Sequence, residues 1–336
     1  MDSLTQILLG GVVAAAVVPA RDRRRALLAG AMLGTLPDLD VIPLAMLALD
    51  PVANVSWHRG PSHSLLILAA LGLLIHAWLR RRWTPVREAS GPWRAAILLA
   101  LLTHPLLDAL TSYGTQLFWP LPQRPIMLSS IFIIDPLYTV PLLIAFVVAV
   151  AMGSRAVVRT WLLTALVLST TYLGWSLLAK ALVDAAADRA LAMHGLQDAP
   201  RFSTPTPFNT LLWQVVVLTP EGYLTADRSL VADRGPMRFR AHSSDQAALQ
   251  AVSARAEVRR LIWFTHGFLK AEQHGDRLVL TDLRMGVEPD YSFRYAVAQR
   301  VDEHWVAIPV QQLSWDLRAR ARLPMLWRRI WHQPTD

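Results

Sequence analysis

ALLAGAMLGTLPDLDVIPLAMLAL, residues Ala26 to Leu49, is an apolar run interrupted at its middle by Pro37, Asp38, Asp40 and Pro43. Its length is that of a membrane span, for which roughly 17 to 25 residues are needed. Two carboxylates inside it would cost about 2.5 to 3.5 kcal/mol each on insertion scales. The prolines disrupt helical hydrogen bonding, and irregular backbone at membrane depth is tolerated only where it is buried in protein or lines a cavity. The segment therefore predicts a discontinuous membrane helix bordering a polar site.

Working outward, further apolar segments lie at about Leu4 to Ala20, Ser64 to Leu79, Ala95 to Ser112, Ile131 to Met152 and Trp161 to Val183, so about six spans are expected. The first is preceded by Asp2 and followed by RDRRR (Arg21 to Arg25). That reverses the charge order of a signal peptide, and the segment reads as a retained span. Eleven arginines fall in alternate loops after the first, third and fifth segments, against Arg59 and Arg124 in the others. The positive-inside rule then places the N-terminus outside and the C-terminal part outside as well.

The 336 residues are 53% hydrophobic, with 33 basic against 25 acidic side chains and a formal net charge of +8. The arginines cluster between apolar runs, which points to membrane orientation and away from nucleic acid. With no cysteine, neither disulfides nor thiolate ligands are available, and any metal must be held by His, Asp or Glu. After Val183 the pattern changes. LLWQVVVL (Leu211 to Leu218), VRRLIWF (Val258 to Phe264), RLVLTDL (Arg277 to Leu283), YSFRYAVAQRV (Tyr291 to Val301) and HWVAIPV (His304 to Val310) carry strand signals between turn pieces. The expected architecture is a polytopic α-helical membrane domain over 1–183 with one broken segment, followed by a small, mainly β extramembrane domain over 184–336. Its tail, Asp316 to Trp331, mixes Arg with Trp and Leu as an interfacial helix would, and a solvated terminal helix fits the same pattern.

The polar residues of the membrane half come in groups. In LLTHPLLDALTSYG (Leu101 to Gly114), His104, Asp108 and Thr111 share one helical face, and Pro105 is expected to bend the backbone beside them. A His and an acid at that spacing offer one nitrogen and one oxygen ligand, although a buried pair bonded to each other would carry the same spacing. Asp38 and Asp40 are hard oxygen donors suited to Mg²⁺, Mn²⁺ or Zn²⁺, or else a helix cap. HRGPSHS (His58 to Ser64) sets His58, Arg59 and His63 at the mouth of an apolar helix whose first turn Pro61 can occupy. Asp135, in FIIDPLY, falls on the same side, whereas His76 reads as interfacial.

MDSLTQ, GTLPDLD, HRGPSHS, HPLLDALTSYG with FWPLP after it, and IDPLY, in this order over about residues 1 to 180, resemble the bacterial inner-membrane proteins described as membrane-bound metal-dependent hydrolases, the YdjM-like family. The resemblance implies an integral membrane hydrolase with Asp and His at a metal site, and a distant likeness to zinc-dependent phospholipase C in its ligand pattern. Gln6 stands where many relatives carry His, so it is not expected to be an essential ligand. Pro61 and Ser62 depart from the family pattern at positions where both histidines are kept.

The combined expectation is a hydrolase acting on an ester or phosphoester, lipid-like, at the outer half of the cytoplasmic membrane. Asp38, Asp40, His58, His63, His104 and Asp108 would hold one or two divalent cations, zinc or manganese, that activate water. Arg59 would neutralise oxyanion charge, Asp40 is a candidate base, and Asp135 a ligand or a carboxylate orienting a histidine. The partner is membrane lipid. The competing class is a transporter or metal-handling protein using the same residues, against which no inverted duplication is visible.

Overall fold

A computed structural model describes residues 1–314 and 322–333. Contacts divide the chain into two units, one of Met1–Leu47, Trp57–Leu128 and Ile133–Trp175, the other of Ala48–Ser56, Ser129–Phe132 and the chain from Ser176 onward.

The first unit is helical. Helix α1 (Ser3–Val17) begins at Asp2, whose side chain accepts from the Thr5 amide at 3.0 Å. Helix α2 (Arg23–Thr35) lies against it at very short range: a methyl group on Gly30 would sit 2.3 Å from the Gly10 carbonyl oxygen and 2.5 Å from Ala14. Small residues four apart on each helix allow this approach, as at other membrane helix contacts. A 3₁₀ turn, Leu36–Asp40, then joins α2 to α3 (Val41–Met46), so the predicted break is present. Beyond α4 (Pro51–Trp57), whose residues up to Ser56 belong to the second unit, the chain resumes the first unit with a short 3₁₀ turn, Pro61–His63, that leads into α5 (Leu65–Arg82), capped by Ser64. Helices α6 (Thr84–Glu88) and α7 (Ser90–Asp108) follow. α7 continues through Pro105 to Asp108. Helix α8 (Pro136–Met152) begins at Asp135, and α9 (Ala156–Ala192) carries the chain from the first unit into the second.

Among the described residues, two helices are long and apolar enough to cross a membrane, Ala20–Met46 and Ala156–Ala192. A third span results if Pro51–His63 and Leu65–Arg82, bent by 49°, count as one. The expectation of six is thus corrected to two or three. α1 has 15 residues and α8 has 17. At 1.5 Å per residue these reach about 22 and 25 Å, short of a hydrocarbon core of about 30 Å.

The second unit is built on two antiparallel four-stranded sheets. The first holds β1 (Arg201–Pro205), β2 (Leu212–Thr219), β3 (Gly222–Ser229) and β4 (Arg240–Ser243), in that order. Trp213, Val215 and Val217 of β2 alternate onto the last turns of α9, where Ala179, Val183, Ala187 and Ala190 receive them. After helices α10 (Gln246–Val252) and α11 (Ala256–Phe264) comes the second sheet. Its strands are β5 (Leu269–His274), β6 (Arg277–Asp282), β9 (Arg294–Val301) and β10 (His304–Gln312), ordered β10-β9-β6-β5. Between β6 and β9 lies a two-stranded ribbon, β7 (Gly286–Val287) and β8 (Asp290–Tyr291). VRRLIWF, expected as a strand, is α11: Val258, Leu261 and Phe264 are buried at helical spacing. Of the predicted tail helix, α12 (Leu323–Trp331) is present, and 315–321 lie outside the described residues.

Candidate metal centre

The close approach of α1 and α2 fixes the carbonyl of Gly34, which accepts from Nδ1 of His104 at 2.5 Å. A carbonyl can only accept, so Nδ1 carries the proton and Nε2 presents a lone pair. His63 is oriented by a two-step relay. The Ser62 hydroxyl donates to Asp40 Oδ2 at 2.5 Å, which leaves Ser62 Oγ to accept from His63 Nδ1 at 3.0 Å. Nε2 of His63 is then also a lone-pair donor, and the two Nε2 atoms face each other at 3.1 Å.

Two carboxylates join them. Asp38 Oδ1 lies 3.4 Å from each Nε2, and Asp108 Oδ2 lies 3.3 Å from His63 and 3.5 Å from His104. His63, His104 and Asp108 are buried, while Asp38 is partly exposed. Asp108 Oδ2 has no aligned hydrogen bond. Four electron-rich atoms converging in a buried place repel one another unless a cation or proton lies among them. Five of the six separations among these atoms are 3.1 to 3.5 Å, near the edge of about 3.4 Å expected for ligands 2.0–2.1 Å from a shared ion, and all four atoms lie within 4.8 Å of one another. The residues present thus fit a divalent ion.

A family model for the YdjM inner membrane protein matches residues 1–183, more than half of the chain and all four of these residues. The chain belongs to that family. Within the curated proteins it is similar to the inner membrane protein YbcI of Escherichia coli (strain K12), 36% identical over 97 residues. That match covers 28% of this chain and 52% of YbcI, about half the relative's length. No solved structure matches the chain.

In this YdjM-family chain the six residues expected as ligands do not form one group. Asp38, His63, His104 and Asp108 come together. Asp40 and His58 stand beside them as a pair, His58 Nδ1 at 2.8 Å from Asp40 Oδ1. Asp40 Oδ2 also receives the Arg59 amide, so this carboxylate organises the His58–His63 loop. Arg59 is buried at φ +62° with Nε 3.1 Å from Asp108 Oδ2, Nη1 donating to Thr111 at 3.1 Å and its guanidinium over the Tyr113 ring. Its charge is committed to Asp108. Asp135 is apart from the group: it caps α8 through the Leu137 and Tyr138 amides and accepts from the Tyr172 hydroxyl at 2.8 Å. His76 is buried against Ser90.

Several contributors escape the sequence reading. The amino nitrogen of Met1 bonds Asp108 Oδ1, which Gln6 Nε2 also reaches at 3.1 Å. Ser62 and the Gly34 carbonyl set the histidine tautomers. For Gly34 a signal exists in the spacing Gly30-x-x-x-Gly34, a pattern of close helix packing. For Ser62 there is none beyond its place between two histidines.

Proposed function

We propose that this protein is a membrane-bound, metal-dependent hydrolase of a lipid-like ester or phosphoester, working at the outer half of the cytoplasmic membrane. The observation that supports it most is the convergence of four ligand atoms within 4.8 Å of one another, each histidine having its other nitrogen tied down. Asp38, His63, His104 and Asp108 would hold the ion. Imidazole nitrogens argue against Ca²⁺ or Mg²⁺, so zinc is the first choice and manganese the second. When bound, such an ion polarises the scissile group and lowers the pKa of water.

The chain's own residues supply the rest. The three buried donors form the fixed side of the site, and Asp38, partly exposed, marks the side open to substrate. Arg59 pairs with the Asp108 carboxylate, and Thr111, which accepts from Arg59, donates to the Asp108 backbone carbonyl at 2.7 Å. His58 is the candidate base: donating Nδ1–H to Asp40 leaves Nε2 to take a proton, with its ring 5.8 Å from that of His63. Asp40 then orients the base. Leu39, Val41, Ile42 and Met46, all exposed on the segment that carries Asp38 and Asp40, favour a substrate that partitions into lipid.

The test is a full-length sample in detergent. It should carry stoichiometric metal and turn over a member of a panel of lipid-like esters and phosphodiesters, and a chelator should stop turnover. Metal-dependent flux across sealed vesicles without any turnover in detergent would instead favour the transporter reading.

A further inference from the structure

The second unit holds a pocket of about 670 Å³ between the β3–β4 connection and α12. Its wall carries Arg228 on β3, Arg234 and Arg238 on the connection, and Arg240 at the start of β4. α12 contributes a fifth guanidinium, that of Arg329. Among the described residues that line it, two carboxylates oppose them. One, Asp233, is engaged by Arg329, whose Nη1 and Nη2 donate to it at 2.8 and 2.5 Å. The other is Asp227, whose carboxyl burial pushes above its ordinary range, against the pull of Arg329 and Arg240 and with the help of Asp233. Four arginines within the thirteen residues from Arg228 to Arg240 would, on a convex surface, be a solvated charge run. Here they line a concavity, where like charges repel and the field is focused on whatever enters.

We propose that this pocket binds a phosphate-bearing anion. Guanidinium forks match phosphate oxygens in pairs, and the volume lies within the range of small-molecule sites, about 300 to 1,000 Å³. The Arg329–Asp233 pair gives the pocket one rigid edge, and the buried carbonyl side of α12 is fixed by the Ser229 hydroxyl donating to Ile330 O at 2.6 Å. The outer face of α12 indicates the source of the anion. Met325, Trp327 and Trp331 are exposed there, with Arg328 between them, as on a helix lying in a lipid interface. An anionic phospholipid headgroup presented at such a surface would enter beside Arg329.

The experiment titrates the full-length, detergent-solubilised protein with dihexanoyl phosphatidic acid, and separately with inorganic phosphate. Saturable binding of the lipid, weakened by salt and reduced about tenfold or more in Arg238→Ala/Arg240→Ala, is the expected result. Equal binding of inorganic phosphate with the same loss in the variant would keep the phosphate site and assign it to a soluble ligand. Melting temperature and metal content should not change in that variant. If the melting temperature falls, Arg238→Lys/Arg240→Lys keeps the charge while removing the forks and should still lose several-fold. Binding of neither probe, or binding indifferent to both variants, would overturn the proposal.

Discussion

The proton on each histidine decides what the candidate centre can do. Gly34 O fixes His104, and the Ser62–Asp40 relay fixes His63, so both lone pairs point inward. Partners of this kind typically contribute 10- to 100-fold to metal affinity. Ser62→Ala and Asp40→Asn should therefore weaken metal binding by about that factor while retaining a full equivalent at saturation, as measured by competition with a chelator. Asp108→Ala should lose the equivalent outright. Asp40→Asn behaving like Asp108→Ala would restore Asp40 as a ligand. The sequence made the buried histidines and aspartates legible because unpaired ionisable groups are so costly in an apolar segment. It could not separate Asp38 from Asp40. In the 3₁₀ turn that holds them, residues two apart project about 240° from one another, so one carboxylate meets the histidines and the other meets the loop.

At the scale of elements, the site depends on how closely α2 can approach α1. Gly30→Ala would place a methyl group 2.3 Å from the Gly10 carbonyl, a backbone contact that cannot swing aside. The expected result is a loss of about 1–3 kcal/mol in thermal unfolding, with weakened metal binding because the Gly34 carbonyl moves with its helix. Gly174→Ala, in α9 with nothing within 4 Å, should be neutral or slightly stabilising, and serves as the control. Asp135→Ala removes a helix cap and should cost about 0.5–2 kcal/mol without touching metal content. Metal loss in that variant would return Asp135 to the centre. The strands β2, β6, β9 and β10 were legible in their β-branched and aromatic runs. α11 was not, because seven residues rich in Val, Ile, Trp and Phe fit either period, and only the burial of Val258, Leu261 and Phe264 decides between them.

For the whole molecule, the number of spans sets the side on which the chain emerges, and the arginines discriminate between the two counts. Arg21, Arg23, Arg24 and Arg25 stand at the start of the span Ala20–Met46. Arg80, Arg81, Arg82, Arg87 and Arg94 stand at or after the end of the bent pair Pro51–Arg82, and Arg155 and Arg159 at the start of the span Ala156–Ala192. If the bent pair crosses, all eleven lie on one side of the membrane. If it does not, four lie on one side and seven on the other, which discards the asymmetry that orients membrane proteins. Three spans are therefore predicted, with the arginines in the cytoplasm and the chain after Ala192 outside. With three spans the chain after Ala192 stays on the expected outer side, whereas α1, preceding the first span, joins it from the side of the arginines and not from outside as the six-span count expected. A reporter active only outside the cytoplasm should be active when fused after Asp336 and inactive when fused after Arg87. Activity at Arg87 with silence at Asp336 would overturn this arrangement, in favour of two spans or of a reversed orientation. Silence at both sites, which two spans with Arg80 to Arg94 outside cannot produce, would require a further crossing between Arg87 and Asp336. With three spans, the connection between the first two, which runs from the Leu36–Asp40 turn to the His58–His63 loop, opens outward, so substrate would reach Asp38 from the outer leaflet.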